Sequence, residues 1–117
     1  MARNLRLSPE EYARRLWDWT PFNKAFDRGI RIGDIDGMVE CKGKFLFLDG
    51  KPSQVLSTGQ RLAYERLAQL PGVTVIIING QPPFGVEGWR VIGKRTYKGT
   101  LEEAVAFVRR WFEYANR

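Results

Sequence analysis

The chain has 117 residues, 44% of them apolar, and carries 19 Lys and Arg against 13 Asp and Glu for a formal net charge of +6. It contains no histidine, which excludes Ser-His-Asp and Cys-His catalysis and the usual His-bearing zinc sites. The one cysteine, Cys41, excludes an intramolecular disulfide, suits a reducing, cytoplasmic setting and reads most simply as a small buried hydrophobe. The longest apolar run, Val75-Ile76-Ile77-Ile78, is too short to span a bilayer, and the polar residues around Arg3 and Arg6 lack the apolar centre of a secretory signal. The expectation is one soluble basic domain over 1–117, large enough for a core of its own.

Ser8-Pro9-Glu10-Glu11 reads as a capping box with proline at the first helical position, and Leu7 and Tyr12 occupy staple positions. The helix it starts is expected to run to about Asp18, with Tyr12, Ala13, Leu16 and Trp17 on its apolar side, and to end at Thr20-Pro21. From Ile30 the texture becomes β. Gly37–Cys41, then Lys42-Gly43, then Lys44–Asp49 reads as an antiparallel hairpin. Ser57-Thr58-Gly59-Gln60 opens a second helix that ends at Leu70, before Pro71-Gly72. Val73–Ile78 is a continuous apolar strand of the kind that follows a crossover helix. Three glycines and two prolines make Gly80–Gly88 a loop, followed by a short strand at Trp89–Ile92 and another at Arg95–Tyr97. Thr100-Leu101-Glu102-Glu103 caps a terminal helix whose apolar face is Leu101, Ala104, Val105, Val108 and Phe112. Trp111 and Phe112 suit either core packing or a homodimer interface. The order predicts an α/β fold: a single domain with a mixed β-sheet, an antiparallel hairpin and a crossover helix, flanked by N- and C-terminal helices.

Four acids, Asp34, Asp36, Glu40 and Asp49, cluster at the hairpin. If Lys42-Gly43 is a two-residue turn, Cys41 pairs with Lys44, Asp36 stands across from Asp49, and Asp34 stands across from Lys51. Residues two apart on a strand share a face, so these four side chains converge. Opposed like charges destabilise a sheet by up to about 1 kcal/mol, which invites compensation by Lys51 or a divalent cation. A three-residue turn with a bulge at Gly43 would instead pair Glu40 with Lys44 and separate Asp36 from Asp49; independently of register, the plain alternative is that Asp34 and Asp36 cap the strand entrance and Asp49-Gly50 is a turn. The convergent arrangement suits phosphodiester hydrolysis, with two aspartates for a metal and a lysine to orient water and offset charge. The basic residues Arg14 and Arg15, Arg28 and Arg31, and Lys94, Arg95 and Lys98 are candidate phosphate contacts, against a plain solvated surface.

Gly33-Asp34-Ile35-Asp36, then Phe47-Leu48-Asp49-Gly50-Lys51, with Gln60 opening the next helix, resembles the PD-(D/E)XK nuclease superfamily. The segment Lys51-Pro52-Ser53 to Leu56-Ser57-Thr58-Gly59-Gln60 looks like its virus-type replication-repair (VRR-NUC) branch, and small Holliday-junction resolvases have the same core. The resemblance covers roughly Asp34 to Ile78. It implies a restriction-endonuclease-like core in which Asp36 and Asp49 hold Mg2+ or Mn2+, Lys51 is catalytic and Gln60 lies near the site. Asp34 is a second candidate for the first ligand position. Glu11 or Glu10 would be an additional acid, although Glu11 also serves its own cap. Gln60 likewise has a capping role open to it, while a stripe of Gln60, Ala63, Leu67 and Leu70 would turn it toward the sheet. Ile35 stands where the family has proline, and Asp49 is the less frequent acid there. The implied activity is an endonuclease acting on DNA, branched or flapped, and a phage origin would suit it; the alternative is a non-catalytic nucleic-acid-binding module of the same fold.

Overall fold

Lys42 and Gly43 both take positive φ, 50° and 81°. A two-residue type I′ hairpin turn needs this at both central positions, and glycine adopts it without steric cost. The computed structural model, which describes residues 8–117, has the order α1 (Pro9–Arg14), α2 (Thr20–Asn23), β1 (Gly37–Cys41), β2 (Lys44–Lys51), α3 (Thr58–Ala68), β3 (Val73–Gln81), β4 (Gly85–Val91), β5 (Thr96–Lys98) and α4 (Leu101–Ala115). The chain divides into two compact units, one up to Asp34 and one from Ile35 to Arg117. Leu7 of the expected staple, with Arg3 and Arg6, lies outside the described residues.

In the first unit the capping box forms in both directions: Glu11 N donates to Ser8 Oγ at 3.1 Å and Ser8 N to Glu11 Oε1 at 3.4 Å. The helix is shorter than expected and stops at Arg14. Asp18 then accepts from Thr20 N at 2.9 Å, and Pro21, expected to end a helix, sits in the first turn of α2 instead. Its missing N–H costs nothing there. Neither helix buries a residue.

The second unit holds the whole sheet, ordered β1-β2-β3-β4-β5. The β1–β2 pair is antiparallel in the register Cys41↔Lys44 to Gly37↔Leu48, which is the two-residue-turn alternative. β2 and β3 are parallel, joined across α3, and β3–β4 and β4–β5 are antiparallel. This is the expected mixed α/β sheet with a hairpin and a crossover helix. Side chains alternate between two cores. Leu46, Ile76, Trp89 and Val91 pack with Ala104, Trp111 and Ala115 of α4. On the other face Val75, Ile77 and Ile92 pack with Tyr64 of α3, joined by Phe47, Leu56 and Leu67.

Two expectations are corrected. Gly80–Gly88 is the end of β3, a tight turn and the start of β4. Its glycines let two backbones approach rather than break the strands: Gly80 has φ +145°, follows a register shift after Asn79, and a Cβ there would fall on the Gly85 carbonyl oxygen. The buried face of α4 is rotated from the expected one, with Ala104, Trp111 and Ala115 inside, while Val105 is exposed and Arg109 lies over the Phe112 ring. Trp111 is therefore a core residue. Among the described residues no helix is long and apolar enough to cross a membrane.

Candidate active site

Asp49 is the one buried charged residue among those described, 3% exposed. Alternation along β2 sends Leu46 and Leu48 to the α4 side, so Phe47, Asp49 and Lys51 share the α3 side. A carboxylate there must be hydrogen-bonded to be tolerated. The Tyr64 hydroxyl, projecting from α3, donates to Asp49 Oδ2, and Lys51 Nζ lies 3.1 Å from the same oxygen. Asp36 lies one residue before the β1–β2 ladder begins, and its Oδ2 accepts from Gly50 N at 2.9 Å. The register thus continues far enough to bring Asp36 beside Asp49, at the carboxyl ends of the parallel strands, where ligands of open α/β sheets bind.

The electrostatics follow from that geometry. Burial by itself would raise the Asp49 pKa, but the hydrogen bonds from Tyr64 and Lys51, and the nearby Asp36 carboxyl, together hold it below the ordinary carboxylate range. Burial first, then the adjacent Asp49 and Asp36 carboxylates, push the Tyr64 phenol upward, so it remains a donor.

The other expected residues fall in different places. The ladder begins at Gly37, so the pairing of Asp34 with Lys51 is not made, and Asp34 belongs to the first unit. Glu11 closes its own capping box, and Glu10 lies beside it in the first turn of α1. Gln60 is half-buried; its backbone N–H donates to Ser57 Oγ at 3.2 Å, and the same hydroxyl donates to its Oε1 at 3.4 Å. It therefore serves the α3 cap while lying one turn from Tyr64. The expected stripe through Ala63 and Leu70 is not the buried one, since both are exposed and Tyr64, Leu67 and Ala68 face the sheet. Arg14, Arg15, Arg28 and Arg31 are exposed residues of the first unit. Lys94 and Arg95 follow β4 at the end of the sheet away from Asp49, since Ile92 N bonds to Val75 O. Lys98 is at the near end, level with Lys51 through Gly88 and Asn79.

Three residues went unread in the sequence. Tyr64 lies four residues after Gln60, on a helical phase that the stripe through Ala63 and Leu70 passes by. Gln54 donates to Ile77 O at 3.0 Å and Asn79 Oδ1 at 2.7 Å, pinning the β2–α3 loop to β3, and its Oε1 is buried without a partner. Nothing in a Pro-Ser-Gln loop announces that role. Arg90 is level with Asp49 through Ile77. Paired residues share a face, so Arg90 stands on the α3 side about 10 Å from Asp49, and Lys98 about 14 Å from Lys51, at ordinary strand spacing.

The donor set is two aspartate carboxylates, the hard-oxygen chemistry that suits Mg2+ or Mn2+. Among the described residues no group of three or more His, Cys, Asp or Glu is gathered for a metal. Comparison with family models, with curated proteins and with solved structures returns no match for this chain.

Proposed function

We propose that this chain is a divalent-metal-dependent endonuclease that hydrolyses phosphodiester bonds in DNA, in the manner of the PD-(D/E)XK enzymes its sequence resembles. The observation that carries this reading is the convergence of Asp36, Asp49 and Lys51 at the carboxyl ends of β2 and β3. Asp36 and Asp49 would hold Mg2+ or Mn2+. Such a cation, when bound, supplies polarisation of a phosphoryl oxygen and a more acidic water. Lys51 carries a fixed positive charge at the same place, able to orient the attacking water and offset charge on the phosphate as it reacts. Tyr64 is a positioning residue: its hydroxyl holds the Asp49 carboxylate in one orientation and keeps it ionised. Arg90 and Lys98 extend positive charge along the same sheet face, where neighbouring phosphates would lie.

Cleavage of single-stranded, duplex, flapped and four-way DNA in magnesium, manganese and EDTA tests the reading. Cutting is expected in either metal, abolished by EDTA and by Asp36→Asn. No metal-dependent cutting on any substrate would sink it. A second reading, a non-catalytic nucleic-acid-binding module, draws on Asp49 being already engaged by Tyr64 and Lys51. It predicts salt-sensitive DNA binding that survives Asp36→Asn.

A further inference from the structure

The carboxyl ends of β2 and β3 open onto a cleft of about 320 Å³, at the small end of the range for ligand pockets, about 300–1,000 Å³. Its lining includes Asp36 and Lys51 of the candidate site, the apolar Ile78 and Val86, and Pro82 and Pro83 of the β3–β4 turn. Phe84, the next residue in that turn, is 72% exposed. The turn that carries it is stiff. Val86 N donates to Phe84 O at 2.9 Å, two prolines restrict the backbone before it, and a Cβ on Gly85 would come within 2.6 Å of Gln81 O. A single exposed phenyl is ordinary on a protein surface. This one stands on a rigid support, between two lining residues of a cleft that shares Asp36 and Lys51 with the site.

The occupant follows from size and chemistry. A phosphodiester brought to Asp36 and Lys51 has a base on either side of it. The cleft has Pro52, Pro82, Pro83, Ile78 and Val86 among its walls, and about 320 Å³ is space for a single small ligand, too little for the end of a duplex. A base still paired and stacked cannot enter such a pocket; it must be unpaired or flipped. An exposed aromatic beside the pocket is the usual platform for stacking a neighbouring base.

We infer that the cleft takes an unpaired base of the strand being cut and that Phe84 stacks on the base next to it. This selects DNA with a flap, branch or single-stranded end, and it rests on the nuclease reading of the adjoining cluster. The phenyl ring then acts as a specificity-determining group rather than a catalytic one.

Binding is measured in EDTA, where no cutting occurs, to a flapped duplex carrying 2-aminopurine at the first unpaired position and to the same sequence fully paired. Wild-type protein is expected to prefer the flapped form and to change the 2-aminopurine emission. Stacking is worth about 1–3 kcal/mol per base, so Phe84→Ala should weaken flap binding about 5- to 150-fold while leaving paired DNA unaffected. Phe84→Trp should restore the preference. Unchanged melting by circular dichroism certifies that the exposed substitution leaves the fold intact. Equal binding of both DNAs by wild type, or equal losses on both by Phe84→Ala, overturns the inference. The same substrates in magnesium separate the two readings. Metal-dependent cutting with the same flap-to-duplex ratio in wild type and Phe84→Ala leaves the nuclease standing and overturns the pocket. Phe84-dependent flap binding without any metal-dependent cutting supports the pocket and overturns the nuclease.

Discussion

Replacing Tyr64 by phenylalanine removes one oxygen and leaves the packing of the α3 core almost unchanged, so it isolates the hydrogen bond to Asp49. That bond joins a neutral donor to a buried carboxylate, the class worth about 1.5–3 kcal/mol. The loss is expected in full at neutral pH. At about 4 °C per kcal/mol for a domain of this size, the melting temperature should fall by about 6–12 °C. The pH dependence supplies the second signature. Asp49 is held below its ordinary pKa in the folded state, so its stabilisation is present above the unfolded value and disappears as pH falls through the lowered folded value. The difference between wild type and Tyr64→Phe, read from urea unfolding, should therefore shrink once pH drops below the ordinary aspartate value of about 3.9. At high pH the sign reverses in origin. The Tyr64 phenol titrates above its ordinary value, so the bond persists below the unfolded phenol pKa and is lost as pH climbs toward the folded one. A loss smaller than about 0.5 kcal/mol at neutral pH, or one that stays constant into acid, would refute the bond as the force holding Asp49.

Other expectations follow from the same geometry. Lys51→Met should leave the fold intact by circular dichroism and lower DNA cutting about 100- to 1,000-fold in a single-turnover assay, the usual loss when one preorganised charge is removed from a reacting centre. Arg90→Ala should weaken binding to all DNA sequences alike and reduce the salt dependence of binding by about one counterion in a fluorescence titration. Gly80→Ala should cost about 3 kcal/mol or more in urea unfolding, because a φ of +145° and a backbone oxygen in the path of the new Cβ act together.

What could be read in advance divides by the range of the interactions involved. Capping boxes at Ser8 and Thr100 are satisfied within four residues, so spacing alone locates them, and both form. The hairpin is equally local: Lys42-Gly43 between alternating strands leaves two registers, and positive φ at both residues selects one. That choice carries Asp36 to Asp49, so the acidic half of the candidate site is legible from one turn. The partner of Asp49 is not, because it comes from α3 after a crossover. Helical spacing of three or four leaves the phase open by one residue, and the Gln60-Ala63 phase misses Tyr64. The β3–β4 hairpin was hidden for a different reason. Glycine and proline usually break strands, but Gly80 and Gly85 mark a close approach of two backbones that only the folded partner reveals.

The position of Asp36, one residue before the edge strand β1, has a consequence for how the site comes together. β1 is five residues long, pairs with β2 alone, and starts immediately after Asp36. Asp36 and Asp49 sit at the open mouth of the hairpin, some five residues, or roughly 17 Å, from the turn that aligns them. The mouth of a hairpin frays first, and the bond from Gly50 N to Asp36 Oδ2 is one tie that keeps the two carboxylates together there. A cation shared between them would work as a zip fastener, closing the strand ends it binds. Its affinity would then report local ordering as much as coordination, and the β1 amides would exchange more slowly with solvent deuterium once magnesium is added. A turn of two residues would thus govern, from the far end of the ribbon, how tightly such a cation would be kept.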